Sequence, residues 1–177
     1  YQYSSGRTSC LDADPGHYVD SIESPTQTEC PEGTYNSEKN SISSSACLDA
    51  DPGYYVPESA SSEQTPCGVG TYQPASRTDS CIDASPGYYV SSAFATSQTA
   101  CSPGTYQPND GSTQCIDAGD GHYVAGTGQE VHTSCPVGTY QPNVGSTGCI
   151  DASPGYFVDS NGSTTQTGCQ AGTYQPG

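Results

Sequence analysis

The sequence predicts a small disulfide-rich fold of short β-strands and turns, repeated into an elongated rod with no helices of note. Three observations predict it. Ten cysteines recur in a fixed rhythm through a polar chain of 177 residues. Glycine and proline number 21 and 14, while hydrophobic residues make up only 31%, below the share of an ordinary globular domain. No stretch sustains a helical hydrophobic period.

The charge balance bounds the partners. Three basic residues against 19 acidic ones give a net charge of −16. Such a chain repels phosphate backbones and anionic lipid surfaces, so neither nucleic acid nor membrane insertion is expected. No apolar run is long enough to cross a bilayer. Without its cysteines a chain this polar would stay disordered. The sequence opens on Tyr1 and contains no methionine, which reads as a processed or trimmed end.

The cysteines define both compartment and period. Zinc sites favour close Cys-x-x-Cys pairs, yet no two cysteines here lie nearer than fourteen positions. The three histidines show no ligand spacing. Disulfides in an oxidising, extracellular or cell-surface setting are the expectation. The cysteines stand at 10, 30, 47, 67, 81, 101, 115, 135, 149 and 169, in steps that alternate 20 and 14 apart from one step of 17. The period is therefore 34 residues, with a three-residue insertion in the Asn36–Ala46 stretch. One continuous array follows, of repeats spanning about 1–34, 35–71, 72–105, 106–139 and 140–173, with another starting at 174–177.

Each repeat divides again. Ala84-Ser85-Pro86-Gly87-Tyr88-Tyr89 matches Cys101-Ser102-Pro103-Gly104-Thr105-Tyr106 at a shift of 17. In one half, cysteines stand fourteen apart; in the other, Ala and Gln hold the same two places, as in Ala13/Gln27, Ala50/Gln64, Ala84/Gln98, Ala118/His132 and Ala152/Gln166. Loss of both cysteines together is the mark of a lost bond. The expected disulfides are Cys30–Cys47, Cys67–Cys81, Cys101–Cys115 and Cys135–Cys149. The alternative joins cysteines twenty apart and pairs all ten within the chain. The first scheme leaves Cys10 and Cys169 to pair outside the segment. Tyr1 falls in register with Tyr35, Tyr72, Tyr106, Tyr140 and Tyr174, so the array is expected to continue, in one polypeptide or between head-to-tail chains.

At the motif Cys-x-Pro-Gly-Thr-Tyr, with a Gly-Ser turn region and a second cysteine fourteen positions on, the sequence resembles ephrin-receptor-like cysteine-rich repeats. These are similar in turn to the first loop of tumour-necrosis-factor-receptor modules. The resemblance covers Cys101–Cys115 and Cys135–Cys149 cleanly, Cys67–Cys81 well, and Cys30–Cys47 with the insertion. It implies a small extracellular module, and it implies bonding between the two cysteines of each such loop. The departure is large: the families carry Cys-x-x-Cys between loops, and this chain has Cys-x-x-Ala and Gln-x-x-Cys.

Within a half, Pro-Gly before the aromatic pair signals a type II turn, and Tyr-Tyr-Val and Thr-Tyr-Gln suit short strands. Asn109-Asp110-Gly111 and Asn143-Val144-Gly145 read as turns. One ring per half predicts a stacking ladder of Tyr18, Tyr35, Tyr55, Tyr72, Tyr89, Tyr106, Tyr123, Tyr140, Phe157 and Tyr174.

Candidate chemistry is sparse. Asp12, Asp49, Asp83, Asp117 and Asp151 recur, but only Asp14, Asp51 and Asp120 add a second carboxylate nearby. Calcium needs six to eight converging oxygens, so Asx-turns are favoured over calcium and no cofactor is expected. His17 and His122 replace tyrosines and His132 replaces a glutamine, which reads as surface variation. Nothing resembles a catalytic triad, a glycosidase carboxylate pair or a phosphate loop, so the chain is not expected to be an enzyme. Asn161-Gly162-Ser163 is the one N-glycosylation sequon, and Thr28, Thr65, Thr99, Thr133 and Thr167 recur as O-glycan candidates. The expectation is an extracellular structural protein forming a stalk, fibre or appendage whose partners are further repeats or copies of itself. The alternative is an adhesin or receptor-type module that uses the tyrosine face or the Glu130–His132 region.

Overall fold

The computed structural model describes residues 9–175. The register of Tyr1, and residues 176–177 of the sixth repeat's start, lie outside the described residues.

The 17-residue half is the structural unit. Each complete half folds as one antiparallel pair of two-residue strands, and nine such pairs follow one another among the described residues. The half opens with a buried Cys or Ala, followed after two residues by a glycine at positive φ, such as Gly16 at 80° and Gly87 at 82°. The N–H three residues past the turn's start closes it, as from His17 to the Asp14 carbonyl at 3.1 Å and from Tyr88 to that of Ser85 at 2.9 Å. With glycine third in the turn, this is the type II geometry that Pro-Gly signals. The first strand is an aromatic or His-Tyr pair in the cysteine-free halves and Thr-Tyr in the others, and the second begins just after the closing Cys, Gln or His. Tyr106 lies opposite Ile116, and Tyr89 opposite Thr99. The three-residue insertion is taken up by a 3-10 turn, Ser44–Ala46, immediately before Cys47. Its start is capped by the Ser43 hydroxyl, which accepts the Ser45 N–H at 3.2 Å. The described residues contain no α-helix, and no helix is long and apolar enough to cross a membrane.

Backbone contacts group the chain into two units. One runs up to Asp83 and includes Ser92–Ser97; the other comprises Ala84–Ser91 and the residues from Gln98 on. Within each unit, three backbone hydrogen bonds tie a half to its successor. In the second unit, the turn glycine Gly87 donates to the Gln107 carbonyl at 2.7 Å, Val90 to Ser112 at 2.9 Å, and Gly111 back to Ala84 at 2.8 Å. The set recurs one half later as Gly104 to Val124, Gln107 to Gln129 and Gly128 to Cys101. In the first unit it is Gly33 to Val56, Asn36 to Ser61 and Ala60 to Cys30.

The interior is narrow. It consists of the opening residues, among them Ala50, Cys67, Ala84 and Cys101, alternating with an inner Val or Gln seven places into each half. Val56, Val90, Val124 and Val158 are the buried apolar inner residues; Asn36, Gln73, Gln107 and Gln141 are the buried polar ones. Burial of an amide requires that both its ends be bonded. Gln107 Nε2 donates to the Gln114 carbonyl at 2.7 Å, and its Oε1 accepts the Asn109 N–H at 3.1 Å. Gln73 and Gln141 repeat this arrangement. Among the described residues no buried side-chain nitrogen or oxygen lacks a partner.

Candidate functional site

The fasteners of the halves come in two kinds. Disulfides join Cys30 to Cys47, Cys67 to Cys81, Cys101 to Cys115 and Cys135 to Cys149, with Cα–Cα separations of 5.5 to 5.8 Å. Cys10 and Cys169 carry no disulfide, the first exposed and the second half-buried. In the cysteine-free halves the glutamine at the closing position turns back onto the opening turn. Its Oε1 accepts the backbone N–H of Asp14, Asp51, Ser85 or Ser153, at 2.7 to 2.9 Å, from Gln27, Gln64, Gln98 and Gln166 respectively. The amide nitrogen then reaches Asp14 Oδ2 at 3.0 Å and Asp51 Oδ2 at 2.9 Å. Each glutamine thus closes nearly the same loop that a disulfide closes next door. The sequence shows which residue replaces the cysteine; only the side-chain geometry shows what it does there.

The expected tyrosine ladder does not form by stacking. Among the described residues the ring contacts are Tyr54–Phe94, Tyr106–His132 and His122–His132, and no two ladder rings meet. Neighbouring halves join through backbone hydrogen bonds instead, and each ladder ring from Tyr18 to Phe157 lies across its own hairpin from a Thr, Ile or Leu. Tyr18, Tyr35, Tyr55, Tyr72, Tyr89, Tyr106, Tyr123 and Tyr140 are half-buried, whereas Phe157 and Tyr174 are exposed. The facing Leu48, Ile82, Ile116 and Ile150 are 42 to 51% exposed, so they line a surface stripe and not the interior. The recurring aspartates correct a second expectation. Asp49, Asp83, Asp117 and Asp151 are exposed strand residues paired with threonines, not Asx-turn acceptors. Asp49 makes one ion pair, to Arg77 at 3.7 Å. Among the described residues no group of three or more His, Cys, Asp and Glu side chains is placed to hold a metal. Thr28, Thr65, Thr99, Thr133 and Thr167 are all exposed strand residues. Asn161 is exposed, with its Oδ1 accepting the Val137 N–H at 3.1 Å.

One stretch carries both kinds of fastener, the turn glycines and the junction bonds in unbroken sequence, and it can be set against known families. Residues 121–169 match the family model described as tyrosine-protein kinase ephrin type A/B receptor-like. This stretch resembles an ephrin-receptor-like cysteine-rich repeat. No curated protein matches the chain. The family is extracellular and non-catalytic.

The ephrin-receptor-like stretch also contains most of the half that departs furthest from the others. In that half, opened by Ala118, His132 stands where its counterparts have the clamp glutamine. Its ring is sandwiched, with the Tyr106 centroid at 4.9 Å on one side and the His122 centroid at 4.3 Å on the other. The hairpin register explains the second contact. His122 pairs with Ser134, so His132, two residues earlier, is its diagonal neighbour on the same face. His122 is anchored in turn: its Nδ1 lies 2.9 Å from the Asp120 carbonyl oxygen. Taken one at a time, the two histidines are separate surface variants. The detectable signal was that both differ from the consensus within a single half, at places the hairpin register puts side by side.

Proposed function

We propose that the chain is an extracellular, non-enzymatic structural module, an elongated spacer of the stalk, fibre or surface-appendage kind. The observation that carries this reading is the recurrence of one junction, three backbone hydrogen bonds per half, within both units. These bonds reach only the next half, and the closest backbone appositions reach no further than the next 34-residue repeat, as from Gly121 to Gly162; such local contacts are the logic of linear repeat arrays. The ephrin-receptor-like match over residues 121–169 supports the extracellular setting. Further repeats or copies of the same module are the proposed partners, and Asn161 and the five exposed threonines are the proposed glycan carriers.

Small-angle X-ray scattering tests the rod. A compact 177-residue globule has a radius of gyration of about 16 Å. A rod must lie well above that, and a value near 16 Å would sink the proposal. A receptor-type or adhesive role is the second reading, favoured by the stripe of Leu48, Ile82, Ile116 and Ile150 beside half-buried tyrosines. Saturable binding on a glycan or cell-surface protein array, abolished by Ile116→Ser, would select it over a purely structural role.

A further inference from the structure

We propose that Asn161-Gly162 is a latent modification site, a self-deamidating pair that the junction between two halves holds unreactive and that converts irreversibly to isoaspartate once that junction opens. Asparagine is a labile residue, and most so before glycine, which has no Cβ to hinder attack by its own backbone nitrogen. Of the five asparagines, only Asn161 precedes a glycine. In the reaction the Gly162 nitrogen sheds its proton and closes on Asn161 Cγ. A C–N bond forms there, the Cγ–Nδ2 bond breaks, and the side-chain nitrogen leaves as ammonia. Water then opens the succinimide, at one carbonyl to aspartate and at the other to isoaspartate.

The fold withholds both reacting groups. The Gly162 N–H donates to the Cys135 carbonyl at 2.8 Å, which shields the proton that must leave, as a bonded amide is shielded from hydrogen exchange. Asn161 Oδ1 accepts the Val137 N–H at 3.1 Å, which pins the side-chain amide. Cys135 and Val137 both belong to the preceding half, so one event, the parting of these two halves, releases both holds. Asn161 is exposed, and water reaches the pair as soon as they are released. The other halves provide an internal comparison. Gly111, Gly128 and Gly145 make the same junction bond, but Asp110, Thr127 and Val144 precede them. None of these carries an amide, and the Asp110 carboxylate is a far poorer electrophile, so this reactivity belongs to one junction. Isoaspartate carries the main chain through its own side-chain carbons and lengthens it just before Gly162 and Ser163. The bonds from Gly162 to Cys135 and from Gln141 to Ser163, at 2.8 and 3.0 Å, then lose their register. An opening that would otherwise reverse is thereby made permanent. An N-glycan on Asn161 would occupy the same Nδ2, so glycosylation and deamidation exclude one another at this residue.

The test is peptide mass mapping with isoaspartate detection on the full, unglycosylated chain, held in mildly alkaline buffer either folded or reduced and unfolded in urea. Conversion at Asn161 should be at least about tenfold slower in the folded chain, because it proceeds only through the open fraction. Gly121→Ala, whose Cβ would stand 2.1 Å from the Gly162 carbonyl oxygen, should speed conversion in the folded chain several-fold. Gly53→Ala crowds the Phe94 carbonyl oxygen in the same way, at 2.5 Å in the other unit, and should leave the rate at Asn161 unchanged. Equal rates in the folded and unfolded chain, no conversion in the unfolded chain, no acceleration by Gly121→Ala, or an equal acceleration by Gly53→Ala would each overturn the proposal.

Discussion

The turn glycines permit a sharp test of what joins the halves. A Cβ built on Gly121 would stand 2.1 Å from the Gly162 carbonyl oxygen and 2.7 Å from its carbon, both backbone atoms, whereas one on Gly138 meets nothing within 4 Å. Both glycines hold positive φ, at 70° and 84°. Alanine at either place incurs left-handed backbone strain of about 1–2 kcal/mol, partly offset by a stiffer unfolded chain. Only Gly121→Ala also forces backbone apart. A retreat of about 1 Å, the distance needed to restore ordinary contact, loosens the hydrogen bonds from Gly121 to Gln141 at 2.7 Å and from Gly162 to Cys135 at 2.8 Å. At about 0.5–1.5 kcal/mol each, their loss sets Gly121→Ala below Gly138→Ala by roughly 2 kcal/mol. Urea unfolding of the 177-residue chain, followed by near-UV tyrosine dichroism, measures the gap. With a slope of about 2 kcal/mol per molar urea, the midpoints should differ by about 1 M. Equal midpoints would refute the view that direct backbone apposition between halves holds the array together.

Two further outcomes follow. Ala60 sits at φ 58°, a place where later halves have Gly111, Gly128, Gly145 and Gly162, so Ala60→Gly should stabilise by about 0.5–1 kcal/mol, read as a raised thermal midpoint. Combining Ala84→Cys with Gln98→Cys should convert a glutamine clamp into a disulfide: about 3 kcal/mol from closing a loop near 15 residues, less about 1 kcal/mol for the lost bond to the Ser85 N–H. Non-reducing peptide mapping should then join the two new thiols and, separately, Cys101 to Cys115; a Cys81–Cys101 peptide would overturn the half-repeat as the unit of closure.

Much of this architecture was legible because repetition is legible. The shift of 17 between Ala84 and Cys101 is visible in the letters, and the hairpin, turn glycine and closing pair all inherit it. What stayed hidden depends on three-dimensional register. Glu23, Asn40, Ala60, Arg77 and Phe94 all occupy left-handed backbone at one equivalent place; of these residue types only Asn favours that conformation, so local chemistry gave little sign of it. At Asn40, Ala60, Arg77 and Phe94 the N–H makes a junction bond to the preceding half, as from Phe94 to the Cys67 carbonyl at 3.0 Å. The tyrosine ladder failed for the complementary reason. Equal spacing in sequence does not impose stacking in space, because the junctions are made by backbone. The histidine pair required knowing that residues ten apart are diagonal neighbours, which follows from the hairpin register and not from composition.

The alternation of fasteners has a consequence under tension. A glutamine clamp such as Gln98 to Ser85 is a hydrogen bond and yields to a modest pull, releasing about fourteen residues that extend to roughly 50 Å at 3.3–3.6 Å per residue. The neighbouring loop from Cys101 to Cys115 stays shut behind its disulfide. A stretched chain would therefore lengthen through every second half and be arrested at the ones between, so that elongation is both stepwise and bounded. In a reducing medium those arrests disappear, and the same pull would draw the chain out without a stop.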